Sequence, residues 1–105
     1  MTDDARAIDL VADLSDTAKP HLVEHYVYVP NQADANVVSN ELRRRGFLTE
    51  SMPSADGVNW LVLARQRTLL TEALLESARV LIEDTIVPLG GEYDGWEVDV
   101  ARAKH

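Results

Sequence analysis

Cysteine is absent from the chain. That excludes a disulfide framework and a thiolate metal site, and it fits a reducing, cytoplasmic setting. No apolar run approaches the roughly 20 residues needed to span a bilayer, so no membrane contact is expected. The start, Met1-Thr2-Asp3-Asp4, is acidic where a secretory leader would be basic. Positive charge is also scarce: ten Lys and Arg stand against eighteen Asp and Glu, a formal charge of −8. Such a surface repels phosphate backbones, which argues against direct nucleic-acid binding and makes a basic protein segment the natural electrostatic partner. Read more blandly, the same charge only keeps a small protein soluble. A phosphate-cradling glycine loop, an internal repeat and a low-complexity segment are all missing.

What is present suffices for one domain with one modest core: 105 residues, 46% of them hydrophobic. Residues 1–19 read as a short helix from Asp3 to Leu14, carrying Ala5, Ile8, Val11 and Ala12 at helical spacing, and then a linker. Leu22 to Val29 alternates as a strand. Val23, His25, Val27 and Val29 share one face; Leu22, Glu24, Tyr26 and Tyr28 share the other. Asn31 caps a helix running to about Arg45, with Ala35, Val38 and Leu42 as its apolar stripe. Arg43, Arg44 and Arg45 then sit at the helix C-terminus, where the macrodipole favours cations, and Gly46 ends the helix with Phe47 packing back.

Phe47 to Met52 is a short polar edge strand, and Ser54 to Gly57 is a hairpin loop. Val58 to Gln66 is apolar on both faces, as a central strand is: Leu61 and Leu63 point one way, Trp60, Val62 and Ala64 the other. Thr68 caps a second helix, Leu69 to about Val87, whose apolar face is Leu70, Leu74, Ala78, Leu81, Ile82, Thr85 and Ile86; Pro88 stops it. Gly90 and Gly91 turn the chain out of the helix. Glu92 to Val100 is the last strand, with Trp96, Val98 and Val100 on one face and Tyr93, Glu97 and Asp99 on the other. Gly95 interrupts it and marks a bulge or a close backbone approach. Residues 101–105 form a tail.

This order predicts an α+β domain over residues 20–100, a ferredoxin-like split βαβ sandwich. Its four-stranded antiparallel sheet carries two helices on one face and follows a short N-terminal helix. The first and third strands are central, and the opposite sheet face, with Tyr26, Tyr28, Glu97 and Asp99, is open. Two tyrosines on such a face suggest RNA stacking, but the third strand, Val58-Asn59-Trp60-Leu61-Val62-Leu63, lacks the basic, glycine and aromatic signature, and carboxylates stand beside the tyrosines. His21 and His25 are four apart on a strand, roughly 13 Å, too far for one metal ion, and His25 reads as a half-buried sheet residue. Ser39, Ser51, Ser54 and Ser77 have no base beside them. No catalytic, metal or cofactor site is expected. The reading is a binding module, with the open face (Tyr26, Tyr28, Glu97, Asp99) and a corner at Tyr93 and Asp94 as candidate contacts. Trp96, Gly91 and Gly95 are structural. A homo-oligomeric domain that holds a small ligand on the open face is the alternative.

Three stretches carry a family resemblance. Lys19-Pro20-His21-Leu22-Val23-Glu24-His25-Tyr26-Val27-Tyr28-Val29-Pro30 resembles the first strand of the RraB family, the protein regulators of ribonuclease E. Leu42-Arg43-Arg44-Arg45-Gly46-Phe47 resembles the exit of that family's first helix. Gly90-Gly91-Glu92-Tyr93-Asp94-Gly95-Trp96 is the most specific of the three. Together they cover about Pro20 to Val100. The strongly acidic C-terminal tail of the best-known members has no counterpart in residues 101–105. The resemblance implies a ferredoxin-like domain without enzymatic activity or cofactor. It also implies a protein partner, ribonuclease E or its scaffold region, whose activity the domain lowers. Homodimer formation is left open.

Overall fold

The structure, a computed structural model, describes residues 20–98. The expected N-terminal helix, the tail, Asp99 and Val100 lie outside the described residues. The elements in order are β1 (His21–Val29), α1 (Gln32–Arg44), β2 (Leu48–Pro53), β3 (Trp60–Thr68), α2 (Glu72–Ile86), a 3-10 turn (Val87–Leu89) and β4 (Glu92–Val98). The strands form one antiparallel sheet in the order β2-β3-β1-β4. This is the ferredoxin-like arrangement the sequence predicts, with β1 and β3 central and β2 and β4 at the edges.

Strand alternation sets the core. His21, Val23, His25, Val27 and Val29 are buried, while the residues between them are only partly so. Val27, Val29, Val62 and Ala64 meet Ala35, Val38 and Leu42 of α1 and Ala78, Ile82 and Ile86 of α2. Both helices therefore pack on this one face of the sheet. Val23, Leu70 and Leu75 make a second cluster, against which Trp96 and Val98 pack.

Local chemistry fixes the ends of α1. The Asn31 side chain accepts from the Asp34 amide at 2.9 Å, satisfying one free N–H of the first turn. At the other end Gly46 takes φ +96°, so its amide reaches the Arg43 carbonyl and the Phe47 amide reaches the Leu42 carbonyl. These are the two bonds of a Schellman motif, and they bring Phe47 back into the core. Arg44 and Arg45 both pair with Glu41.

The second helix departs from expectation at its start. Its cap is Thr71, whose side chain accepts from the Leu74 amide, rather than Thr68. Thr68 is held in β3 by pairing with His21, so the helix cannot begin until the connector through Leu69 and Leu70 is complete. The apolar stripe shifts with it: Leu75 is buried and Leu74 is 44% exposed. The sequence also starts β3 too early. Val58 and Asn59 stay in the loop because Asp56 accepts both backbone amides. Asp56 further accepts from the Ser54 hydroxyl and the Asn59 amide group, and these bonds, the Ser54 hydroxyl first, hold its carboxyl well below the usual range.

Candidate functional site

The face of the sheet away from the helices has no described element packed on it. Register places its side chains in rows. Tyr28 lies between Leu61 of β3 and Glu92 of β4, and Met52 of β2 lies beyond Leu61. Tyr26 faces Leu63, with Glu50 of β2 on the other side of that leucine. Glu24 lies between Arg65 and Glu97. The centre of this face is thus aromatic and aliphatic, and Leu63 is only 9% exposed.

Two polar links organise the periphery. The Tyr26 hydroxyl donates to Glu97 Oε2 at 2.8 Å. This bond, followed by burial, pushes the Tyr26 pKa up to about 12, because ionising the phenol would set one anion against another. Arg65 reaches Glu24 at 2.9 Å and Glu50 at 3.3 Å, stapling β1, β3 and β2 across the face. Its pKa rises chiefly through the bond to Glu24. Glu24 and Glu97 sit directly opposite each other, and Arg65 offsets that like-charge contact from the Glu24 side.

The bulge in β4 redirects the corner predicted at Tyr93 and Asp94. His25 pairs with Trp96 and Val27 with Tyr93, so Asp94 and Gly95 together stand opposite Tyr26. Gly95 takes φ +100° there. Alternation restarts with opposite parity across such an insertion. Tyr93 therefore lies on the helix side, not on the face of Glu97 as uninterrupted alternation implies. Its hydroxyl and His25 Nδ1 are 2.8 Å apart, and it packs on the main core cluster. His25 is buried, 1% exposed and edge-on to Phe47, rather than half-buried. Asp94 remains exposed at the bend, while Trp96 is half-buried beside Val23, Leu70 and Leu75.

Of the residues singled out in the sequence, Tyr26, Tyr28 and Glu97 come together on the helix-free face. Tyr93 and Trp96 do not join them, and Asp99 lies outside the described residues. Sequence reasoning missed Glu92, Met52 and the Glu24–Arg65–Glu50 staple; pairing rows drawn from the predicted topology would have found them. It also missed a groove of about 990 Å³ between the two helices, edged by Val37, Glu41, Arg45, Val80, Leu81 and Asp84. Among the described residues, no group of three or more His, Cys, Asp or Glu could hold a metal ion. Among the same residues, no helix is long and apolar enough to cross a membrane.

A family model described as regulator of ribonuclease activity B matches residues 4–98. The match takes in every described element and the three stretches noted in the sequence. No curated protein matches the chain.

Proposed function

The chain belongs to the RraB family, regulators of ribonuclease activity, and on that premise we propose that it is a non-enzymatic protein-binding module that lowers the activity of a ribonuclease E-type enzyme by contact. One observation carries the reading to a particular surface. The helix-free face presents Tyr26, Tyr28 and Leu61 as partly exposed neighbours around the buried Leu63, with no described element over them. An apolar and aromatic strip with a polar rim is what a protein contact surface requires. Tyrosine suits such a role, since it offers a large rigid area and a hydroxyl that tolerates water. Asp94, exposed at the bulge beside Tyr26, extends the proposed contact, and Asp99, outside the described residues, stays a candidate from the sequence. The partner in this reading is ribonuclease E or its non-catalytic scaffold, and the setting is cytoplasmic, in keeping with the absence of cysteine.

The test uses the immobilised full chain with purified ribonuclease E and, separately, its scaffold region. Retention of either, with slower cleavage of a reporter RNA when the chain is added, is the expected result. Tyr26→Ala combined with Tyr28→Ala should abolish retention while the circular dichroism spectrum is unchanged. Failure of the native chain to retain or slow the enzyme overturns the reading. Recovery of a self-associated species holding a bound metabolite would put a homo-oligomeric ligand-binding domain in its place.

A further inference from the structure

We propose that the helix-free face takes a basic protein segment with an apolar core. Arginine or lysine side chains of that segment lie over the β1–β4 half, and its apolar side chains lie over the β3–β2 half. This rests on the protein-binding reading above and adds the chemistry of what is bound.

The two halves of the face differ in how their charge is compensated. At the β3–β2 half, Arg65 of β3 is shared by Glu50 of β2 and Glu24 of the adjoining β1. What that half has left to offer is chiefly apolar, Leu48, Leu61 and Met52, with the exposed Arg67 at its far end opposite Leu22. On the β4 side, Glu92, Asp94 and Glu97 belong to none of the ion pairs among the described residues. Among the described residues, Glu97 accepts only the neutral Tyr26 hydroxyl. Glu92 stands directly beside Tyr28 and Glu97 beside the Tyr26 row. A guanidinium over these rings can stack on the aromatic face and donate to a carboxylate at the same time, a combination stronger than either contact alone.

The same charges argue against other occupants. A nucleic-acid backbone would meet carboxylates before it met the tyrosines. A second copy docked face to face about a two-fold axis would set this carboxylate edge against a surface with the same excess of negative charge, in a chain of formal charge −8. A basic segment relieves the β4 edge and fills the strip in one step.

The experiment titrates the full chain into three fluorescein-labelled synthetic peptides. One has a leucine-rich centre with arginine flanks. The second replaces every arginine with glutamate, and the third keeps the arginines but replaces the leucines with serine. The first should bind at least about tenfold tighter than the other two at about 50 mM salt, and should weaken by about fivefold or more at about 300 mM. Glu92→Gln with Glu97→Gln should weaken it by about tenfold, whereas Glu83→Gln with Asp84→Gln on α2, an equal change of net charge, should leave it within about twofold. Equal binding of the three peptides, or equal loss in the two double variants, overturns the proposal. The ribonuclease assay separates this inference from the one it rests on. Inhibition that survives Glu92→Gln with Glu97→Gln sinks the basic-segment proposal and leaves the regulator. Peptide binding that depends on those two glutamates, in a chain without effect on the ribonuclease, does the reverse.

Discussion

Gly91 shows how tightly one backbone position can be constrained. A Cβ there would lie 2.8 Å from Ile86 Cβ, 3.1 Å from the Tyr28 carbonyl oxygen and 3.1 Å from Val29 Cγ1. None of the three is the free end of a flexible side chain, so α2 and β1 would have to separate. Gly91→Ala should therefore lower stability by about 1–3 kcal/mol, the usual range for overpacking, as read from urea denaturation. Gly90 and Gly95 have space but need positive φ, so their constraint is conformational. At Tyr26 the constraint is electrostatic. Its folded pKa of about 12 lies above the unfolded value near 10. The folded state thus keeps a proton that the unfolded state loses. The Tyr26–Glu97 bond adds its stability below pH 10 and forfeits it as the pH climbs from 10 to about 12. Ultraviolet titration should show one tyrosine ionising near pH 12, and Glu97→Gln should return it toward pH 10.

At the scale of elements, legibility followed the strength of the local signal. Strand β1 and helix α1 are written plainly: strict alternation in one, a capping Asn31 and a terminating Gly46 in the other. The start of α2 is not, because Thr68 and Thr71 are equally good caps in isolation. What decides between them is the pairing of Thr68 with His21, a partner 47 positions away that local patterning does not contain. Strand β4 shows the same limit differently. Gly95 announces a bulge, but which neighbours change face depends on how many residues the insertion holds, and that is set by the register against β1. So Tyr26, Tyr28 and Glu97 were placed correctly on one face while Tyr93 was not. The bulge also governs Trp96, which comes to rest half-buried against the smaller core cluster. Trp96→Ala should cost about 2–3 kcal/mol in denaturation, below the 3–5 typical of a fully enclosed aromatic. A loss under about 1 kcal/mol would mean that the cluster around Val23, Leu70 and Leu75 holds without it.

For the whole molecule, the acidic excess and the topology bear jointly on function. A four-stranded sheet with both helices on one side leaves its other face available, and on this fold such faces can stack RNA bases when their central strands present aromatics among basic residues. Here the aromatics are present and the electrostatics are reversed. Tyr26 and Tyr28 have Glu92 and Glu97 as neighbours, and Arg65 is engaged by Glu24 and Glu50. A phosphate chain approaching the tyrosines would meet Glu92, Asp94 and Glu97, with the exposed Arg67 two rows beyond Tyr26, and would feel a formal charge of −8 behind them. Base stacking is worth roughly 1–3 kcal/mol per base, too little to bring an anionic strand down onto carboxylates. Titration of the full chain into a labelled single-stranded RNA at physiological salt should therefore give no measurable binding. Lowering the salt should not rescue it, since weaker screening strengthens repulsion between like charges, the opposite of the behaviour of a true RNA-binding protein. Micromolar or tighter affinity that grows as salt is removed would overturn the choice of a protein partner. The helix-free face would then have to be read as a base-stacking platform.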